Sequence, residues 1–307
     1  MEWIYAIAGL AILVFAGDNL VKGAVNLSLR LGVPALIVSL TVVAFGTSAP
    51  ELLISVQSIL DGLPGLALGN VVGSNIANVL LVLGVPAILA TMHTSHFNVR
   101  GVYLQMLAAT ALFVVLCFIG TLTWVSGLVL LAGLAAMLTH AIVTARRSSF
   151  EPELEGADPS LPWTKIALYL LVGLVGLPVG ANLLIEGATV IAQNFGLSDS
   201  VIGLTLVAVG TSLPELATTV MAALRRQADV ALGNVIGSNL FNLLGIIGVA
   251  TLVGPIPVDP QFLRFDLWIM VGAALLMIPF VFFRLDISRL WGIGLTAAYV
   301  AYVWVIL

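Results

Sequence analysis

AFGTSAPE, at residues 44–51, returns as AVGTSLPE at residues 208–215. A second pair follows, with GNVVGSNIAN at residues 69–78 and GNVIGSNLFN at residues 233–242. Both pairs are separated by the same 164 residues, and a repeat at one fixed offset constrains an architecture more than any single motif. Each copy places a carboxylate, hydroxyls, amides, a proline and several glycines inside a strongly apolar stretch. We therefore expect fold and function to be built around this repeat.

The composition is that of an integral membrane protein. Of the 307 residues, 61% are hydrophobic and only 8% are charged, whereas a soluble domain carries about 25% charged residues. The long apolar runs favour helices over a β-barrel, whose strands would alternate polar and apolar residues. The chain has no basic run, so we expect no nucleic-acid partner. Cys117 is the single cysteine, which excludes a disulfide framework and a cysteine metal site.

Ten stretches reach the length of about 20 mostly apolar residues that a membrane span needs. One long polar connection separates them into two groups of five, which predicts a first repeat at 1–145, an acidic linker at 146–163 and a second repeat at 164–307. The fold class is therefore an all-α membrane protein with ten transmembrane helices. The expected spans are 3–27, 33–60, 66–90, 100–119, 124–145, 164–192, 199–224, 230–253, 265–283 and 288–306.

The two repeats should have inverted topology. Equivalent residues are five spans apart, and five is odd, so equivalent helices cross the membrane in opposite directions, as in many secondary transporters. An excess of Lys and Arg marks the cytoplasmic side. We therefore expect a multi-pass protein of the cell (inner) membrane, with both termini outside and the linker in the cytoplasm. The alternate loops that collect the basic residues contain Arg30, Arg100, Arg146, Arg147, Lys165, Arg225, Arg226, Arg284 and Arg289.

Few charged residues fall within the predicted spans, and a carboxylate at membrane depth is costly and usually marks an ion or substrate pathway. Glu51 and Glu215 each lie deep in a span of an inverted half, so pseudo-symmetry can bring them together near the midplane. Each follows a proline, which removes a backbone donor and frees the carbonyl four residues earlier. We expect the helix to bend there and to expose neighbouring carbonyls such as those of Ala44 and Ala208. The charged residues within spans are Asp18, Lys22, Glu51, Glu186 and Glu215.

The candidate ligands are all oxygens, which suit a hard cation such as Ca²⁺ and not zinc or copper. Thr47 and Glu51 are four residues apart, as are Ser74 and Asn78, so we expect each pair to share one helix face. Glycines four apart in each copy predict close approach of the third and eighth spans to the second and seventh. The set comprises Glu51, Glu215, Thr47, Thr211, Ser48, Ser212, Ser74, Ser238, Asn78, Asn242 and the loosened carbonyls.

The paired motifs resemble the two alpha-repeats of the cation/calcium exchanger superfamily, most closely its prokaryotic sodium/calcium exchanger branch. This resemblance implies an antiporter that exchanges Na⁺ for Ca²⁺ by alternating access, with a 3:1 stoichiometry and no cofactor. Its partners would be the two ions and the lipid bilayer, and we expect a monomer that is not an enzyme.

The resemblance also implies roles for single residues. Glu51 and Glu215 would be ligands shared by Ca²⁺ and Na⁺. The Ala44 and Ala208 carbonyls would serve outer Na⁺ sites, and Asn78 and Asn242 the remaining polar positions. Some relatives, including the potassium-dependent branch, carry Asp where this chain has Asn242. Because both halves of this chain have Asn, potassium dependence is not expected. The hydroxyls that would complete the coordination are those of Ser48, Ser212, Thr47, Thr211, Ser74 and Ser238.

Other interpretations stay open from the sequence. A proton/calcium antiporter would use the same glutamates, and a cation channel belongs to a different class. An intramembrane hydrolase would need a nucleophile and base, but His93, His96 and His140 lie far in sequence from the motifs and are interpreted as interfacial. A structural kink would explain one Thr-Ser-x-Pro-Glu segment, though two copies with buried carboxylates weaken that explanation. The remaining charges within spans, Asp18, Lys22 and Glu186, either pair or line an entry path.

Overall fold

The computed structural model describes residues 1–94, 99–147, 158, 160–196 and 208–306. These residues form an all-helical protein. We number its helices α1 Glu2–Leu31, α2 Ala35–Thr47, α3 Ala49–Leu60, α4 Pro64–Leu89, α5 Arg100–Ile119, α6 Trp124–Arg147, α7 Trp163–Asn194, α8 Ala208–Thr211, α9 Leu213–Leu224, α10 Ala228–Val253, α11 Pro260–Phe282 and α12 Arg289–Ile306.

Within the described part of the chain, eight helices are long and apolar enough to cross a membrane, or nine if the bent pair α2 and α3 forms one span. These agree with nine of the ten predicted spans. The remaining one, 199–224, is described only from Ala208 onward, so this count does not confirm ten spans. Most of the predicted linker, at 148–157 and 159, likewise lies outside the described residues, as does His96.

The motif bends its helix where the sequence predicted. α2 and α3 meet at 43°, and Ser48 between them has φ −85° and ψ 7°, outside the helical range. The equivalent Ser212 has φ −84° and ψ 3°. Pro50 lies just after the first break and cannot donate a helical hydrogen bond, which explains the bend. The expectation that Thr47 and Glu51 share one helix face is wrong, because the break falls between them.

The helices α4 and α10 form the centre of the molecule. About 78% and 83% of the membrane-spanning stretch of these two helices is buried, whereas the other six helices that could each span a membrane alone reach at most 39%. Glycines bring α10 against α2: a Cβ on Gly233 would lie 2.8 Å from the Leu36 carbonyl oxygen, and one on Gly237 would lie 2.5 Å from that of Leu40. Close approach through glycines is therefore found for the eighth span, against the second. On α4 the predicted approach is not made through the equivalent Gly69 and Gly73, because both line a cavity and a Cβ there would meet no atom of the described residues within 4 Å.

The helices α1 and α7, of 30 and 32 residues, pack along one another at the side of this centre. Their contact is also made by glycines. A Cβ on Gly180 would lie 2.9 Å from the Gly9 carbonyl oxygen, and one on Gly187 would lie 2.6 Å from the Glu2 carbonyl oxygen. Small residues let helix backbones approach this closely where lipid supplies no hydrophobic drive for association. The two helices therefore form a closely joined pair.

Three contacts connect loops that are distant in sequence. Met92 and Ile287 exchange two backbone hydrogen bonds of 3.1 and 3.0 Å, and Leu122 and Ile256 exchange two of 2.9 Å. The Arg30 guanidinium donates to the Leu161 carbonyl at 2.7 Å. Each contact joins loops that the predicted topology places on one side of the membrane.

Candidate cation site

Glu51 and Glu215 occupy the first turns of α3 and α9, directly after the two helix breaks, and each is only 1% exposed. Their carboxylates lie close enough for their charges to repel one another. Among the described residues, no group of three or more His, Cys, Asp or Glu side chains could hold a metal ion. Any cation bound by the pair must therefore take its further ligands from hydroxyl, amide or carbonyl oxygens.

The carboxylate of Glu215 is held from both repeats. The Ser48 hydroxyl, at the break of the first repeat, donates to Glu215 Oε1 at 3.0 Å. The Ser238 hydroxyl on α10 lies 3.5 Å from the same oxygen. The structure thus unites the first motif of one repeat with both motifs of the other.

An asparagine of the repeated motif donates hydrogen bonds to the helix that carries each glutamate. Asn70 Nδ2 donates to the backbone oxygen of Glu51 at 3.2 Å and to Ser55 Oγ at 3.1 Å. Its counterpart 164 residues later, Asn234, makes the same two bonds in the second repeat at 3.3 and 3.1 Å. Asn234 Oδ1 also accepts the Thr47 hydroxyl at 3.3 Å. The repeat therefore preserves the support of the glutamates as well as the glutamates themselves.

The Ala44 carbonyl is less free than the sequence predicted. It accepts the backbone N–H of Ser48 at 3.0 Å, and it lies 3.3 Å from the Thr47 hydroxyl, whose single hydrogen is shared between this carbonyl and Asn234 Oδ1. This helical hydrogen bond from Ser48 to Ala44 is retained because the helix does not break until Ser48. In the second repeat the N–H of Ser212 bonds the Val209 carbonyl at 3.1 Å. The Ala44 carbonyl therefore keeps its helical hydrogen bond from Ser48, whereas the sequence predicted that the bend would expose it.

Several buried oxygens of the site have no hydrogen-bond partner. Seven such side-chain atoms occur in the described chain, and five belong to predicted site residues. An unsatisfied buried polar atom costs about 1–3 kcal/mol, so five of them among the predicted site residues need an explanation. All five are oxygens that can coordinate a cation. They are Glu51 Oε2, Glu215 Oε2, Ser212 Oγ, Asn78 Oδ1 and Asn242 Oδ1.

A cavity of about 650 Å³ reaches the predicted residues Ser74 and Thr211. Its wall also contains Asp266 and Tyr302, whose hydroxyl donates to Asp266 Oδ1 at 3.2 Å. Ala208, predicted as a carbonyl ligand, begins the short helix α8 that ends at Thr211. The cavity therefore joins the site to the ends of α11 and α12.

The other charged residues that the sequence analysis named within spans, Asp18, Lys22 and Glu186, lie apart from this site. Asp18 pairs with Lys22 at 2.8 Å and with Arg225 at 2.5 Å, which joins α1 to the end of α9. Glu186, the repeat equivalent of Lys22, is exposed on α7. Of the two sequence alternatives for Asp18 and Lys22, the structure favours pairing.

The described histidines also lie apart from the glutamates. His93 Nδ1 is 2.8 Å from Asp286 Oδ2 between two loops, and His140 Nδ1 is 2.6 Å from Gln105 Nε2. Both histidines have polar partners of their own.

The sequence interpretation missed four asparagines of the repeated motif. Two are the supports Asn70 and Asn234. The others, Asn75 and Asn239, bond across the repeats to Asn242 and Asn78. All four recur at the same offset of 164 residues, and that recurrence could have identified them.

Comparison with known proteins agrees with this geometry. The sequence model of the family described as "Sodium/calcium exchanger protein" matches this chain over residues 1–143 and 165–307. The "Sodium/calcium exchanger MaX1" of Methanosarcina acetivorans is 33% identical over 345 residues, covering 98% of this chain and 97% of that protein. The "Inner membrane protein YrbG" of Escherichia coli is 35% identical over 279 residues, covering 86% and 84%.

A solved structure extends the likeness to three dimensions. The sodium-calcium exchanger NCX_Mj, soaked with zero Na⁺ and Ca²⁺, matches with a TM-score of 0.86 at 32% identity. The match covers 100% of this chain and 99% of that one.

Proposed function

The chain belongs to the sodium/calcium exchanger family and acts as a Na⁺/Ca²⁺ antiporter, and we propose that the two ions compete for a site centred on Glu51 and Glu215. The observation that carries this proposal is that five buried side-chain oxygens of the predicted site residues have no hydrogen-bond partner, two of them from these glutamates. Oxygens left unsatisfied in a membrane protein's centre are explained if a cation satisfies them.

The remaining ligands would come from both repeats. Ca²⁺ takes six to eight oxygens, more than two carboxylates supply, and hydroxyl and amide oxygens would complete the shell. The Ser48–Glu215 bond of 3.0 Å supports a site shared between the repeats. The proposed set is Glu51, Glu215, Ser48, Ser212, Thr47, Thr211, Ser74, Ser238, Asn78 and Asn242, with the carbonyls of Ala44 and Ala208.

The charge of the site explains why the protein would exchange one ion for another instead of transporting a single ion without a counter-ion. Two ionised glutamates give about −2, which one Ca²⁺ or two Na⁺ neutralise. An unoccupied buried pair of negative charges is too costly to move across the membrane, so each passage would require bound cations. A third Na⁺ would make the cycle electrogenic, at about 2.3 kcal/mol per 100 mV for each net charge.

We further propose ten spans in two inverted repeats, 1–145 and 164–307, joined by a cytoplasmic linker at 146–163. The loop contacts support the alternation of sides. The Arg30–Leu161 contact joins the last turn of α1 to the residues just before α7, and the Leu122–Ile256 contact joins the loop before α6 to the loop after α10. If α6, α7 and α10 each cross the membrane once, these contacts are consistent with one further crossing between α7 and α10, which we assign to the predicted span at 199–224. Both termini would lie outside, the ions would need no cofactor, and the unit would be a monomer.

Alternating access would involve movement of α1 and α7 against the centre. Their glycine contacts support movement as one pair, because the close backbone approach leaves little room for relative sliding. Cross-links that fix the pair to the centre should stop exchange. Full exchange in the cross-linked protein would contradict this step.

The site is tested by Na⁺-driven ⁴⁵Ca²⁺ uptake in proteoliposomes. We expect Glu51→Gln and Glu215→Gln each to abolish uptake, because a half-charged site cannot balance Ca²⁺. Glu186→Gln is the matched control, since it removes a carboxylate that is exposed on α7, and it should retain uptake. Normal uptake in both site variants would refute the assignment, and uptake driven by a proton gradient without Na⁺ would refute sodium coupling.

A further inference from the structure

Four asparagines form hydrogen bonds that cross between the repeats. Asn78 Nδ2 donates to Asn239 Oδ1 at 3.0 Å, and Asn242 Nδ2 donates to Asn75 Oδ1 at 2.9 Å. All four side chains are at most 3% exposed. Asn75 and Asn239 are repeat equivalents, as are Asn78 and Asn242, so the two bonds are one interaction made twice.

The orientation of these amides follows from partners that can only accept hydrogen bonds. An amide group presents an oxygen at one end and an NH₂ at the other, and its neighbours decide which end faces where. Asn75 Nδ2 lies 3.3 Å from the Asn239 backbone oxygen and 4.0 Å from Met270 Sδ. Asn239 Nδ2 lies 3.8 Å from Met106 Sδ. Neither a carbonyl nor a thioether carries a hydrogen, so Asn75 and Asn239 must turn their NH₂ groups toward them.

This fixed orientation is passed on to the next pair. The side-chain oxygens of Asn75 and Asn239 face Asn242 and Asn78. Asn242 and Asn78 must therefore donate to them through their NH₂ groups. The oxygens of Asn242 and Asn78 are then directed away from that contact, and both are buried without a partner. Asn242 lies one helical turn beyond Ser238, whose hydroxyl reaches the glutamate of the site.

The thioethers belong to the same repeated arrangement. Met106 on α5 and Met270 on α11 are also 164 residues apart, and they are 0% and 2% exposed. A methionine in a core is usually an adaptable space filler. Here the sulfur of each methionine lies against the NH₂ group of an asparagine, at equivalent positions of the two repeats. Each methionine therefore offers a hydrogen-bond acceptor in addition to filling space.

We propose that Asn75 and Asn239, backed by Met270 and Met106, are positioning residues that keep the amide oxygens of Asn242 and Asn78 directed to the transported cation. The inference rests on the function proposed above for the site. Without these residues each amide could turn over and present its NH₂, the positive end of its dipole, to the ion. The consequence would be weaker cation binding without the loss of any ligand residue.

The test uses the double substitution of Asn75 and Asn242. Asn75→Ala removes the acceptor that orients Asn242, and we expect ⁴⁵Ca²⁺ to bind the purified protein about ten-fold more weakly, which corresponds to one hydrogen bond. Asn242→Asp replaces the amide by a carboxylate, whose two oxygens are equivalent and need no orientation. In that background Asn75→Ala should change Ca²⁺ binding by less than about two-fold. Equal penalties in both backgrounds would overturn the inference, since a purely structural loss would be the same in each.

A milder variant keeps the test usable if Asn75→Ala does not fold. Met270→Leu preserves the volume and removes the thioether, and it should weaken Ca²⁺ binding in the same direction by a smaller factor. Met277→Leu, at a buried methionine of the same helix, is the matched control and should bind normally. Identical binding by both leucine variants would count against the role of the thioether. If the native protein bound no ⁴⁵Ca²⁺, the proposed function itself would fail, which is a different result from equal penalties.

Discussion

Gly237 sets the distance between α10 and α2, and Gly237→Ala should disturb both stability and the site. A Cβ at this position would lie 2.5 Å from the Leu40 carbonyl oxygen and 2.6 Å from Ala44 Cβ, whereas ordinary contacts begin at 3.4 Å. The two helices must therefore separate by about 1 Å. Overpacking of this kind costs about 1–3 kcal/mol in free energy of unfolding.

The same movement would reach the cation site, because α2 ends at Thr47 and Ser48 follows it. The Ser48 hydroxyl is 3.0 Å from Glu215 Oε1, and a displacement of about 1 Å takes it beyond hydrogen-bonding distance. A hydrogen bond to a charged group contributes about 1.5–3 kcal/mol. We therefore expect lower thermal stability in detergent together with a large loss of Na⁺-driven ⁴⁵Ca²⁺ uptake.

Gly272→Ala on α11 is the matched control, since no described atom lies within 4 Å of a Cβ there. Its stability should be unchanged or higher by up to about 1 kcal/mol, because alanine favours a helix over glycine. The reasoning is refuted if Gly237→Ala is as stable and active as the native protein, or if Gly272→Ala is equally damaging.

Two further predictions concern charges outside the central pair. Asp266→Asn removes the carboxylate that lines the cavity and accepts the Tyr302 hydroxyl, and it should slow ⁴⁵Ca²⁺ uptake at low Ca²⁺ and low salt. Asp259→Asn removes one charge nearby but keeps an N-cap for α11, so equal slowing by both variants would contradict a local role. Asp18→Asn breaks the ion pair with Arg225; both side chains are partly exposed, at 20% and 34%, so unfolding free energy should fall by no more than about 1 kcal/mol. Exchange should persist in Asp18→Asn, and its abolition would place this ion pair in the transport path.

The sequence predicted the fold through two simple signals. Apolar length located the spans, and the Gly and Pro breaks located their ends, as at Gly32, where α1 stops with φ 65°. The cost of burying Glu51 and Glu215 singled out the site, and the structure buries both. These signals depend on a short stretch of sequence and on the lipid around it, so a single sequence is enough to recognise them.

The sequence could not predict which partners meet across the repeats. Spacing places two residues on one face only while the helix continues, and the break at Ser48 separates Thr47 from Glu51. Ser48 instead donates to Glu215 on α9, in the other repeat. The packing of α4 against α10 likewise brings Asn78 to Asn239. Such contacts depend on backbone distances that no single motif specifies.

The site assignment is tested most directly by locating Ca²⁺ in crystals of the protein. Anomalous diffraction from crystals soaked in Ca²⁺ should show one peak between the two repeats, at about 2.3–2.6 Å from carboxylate oxygens of both Glu51 and Glu215. The same peak should weaken as Na⁺ is added, since the ions compete. A Ca²⁺ peak elsewhere, with the two carboxylates unoccupied, would contradict the account.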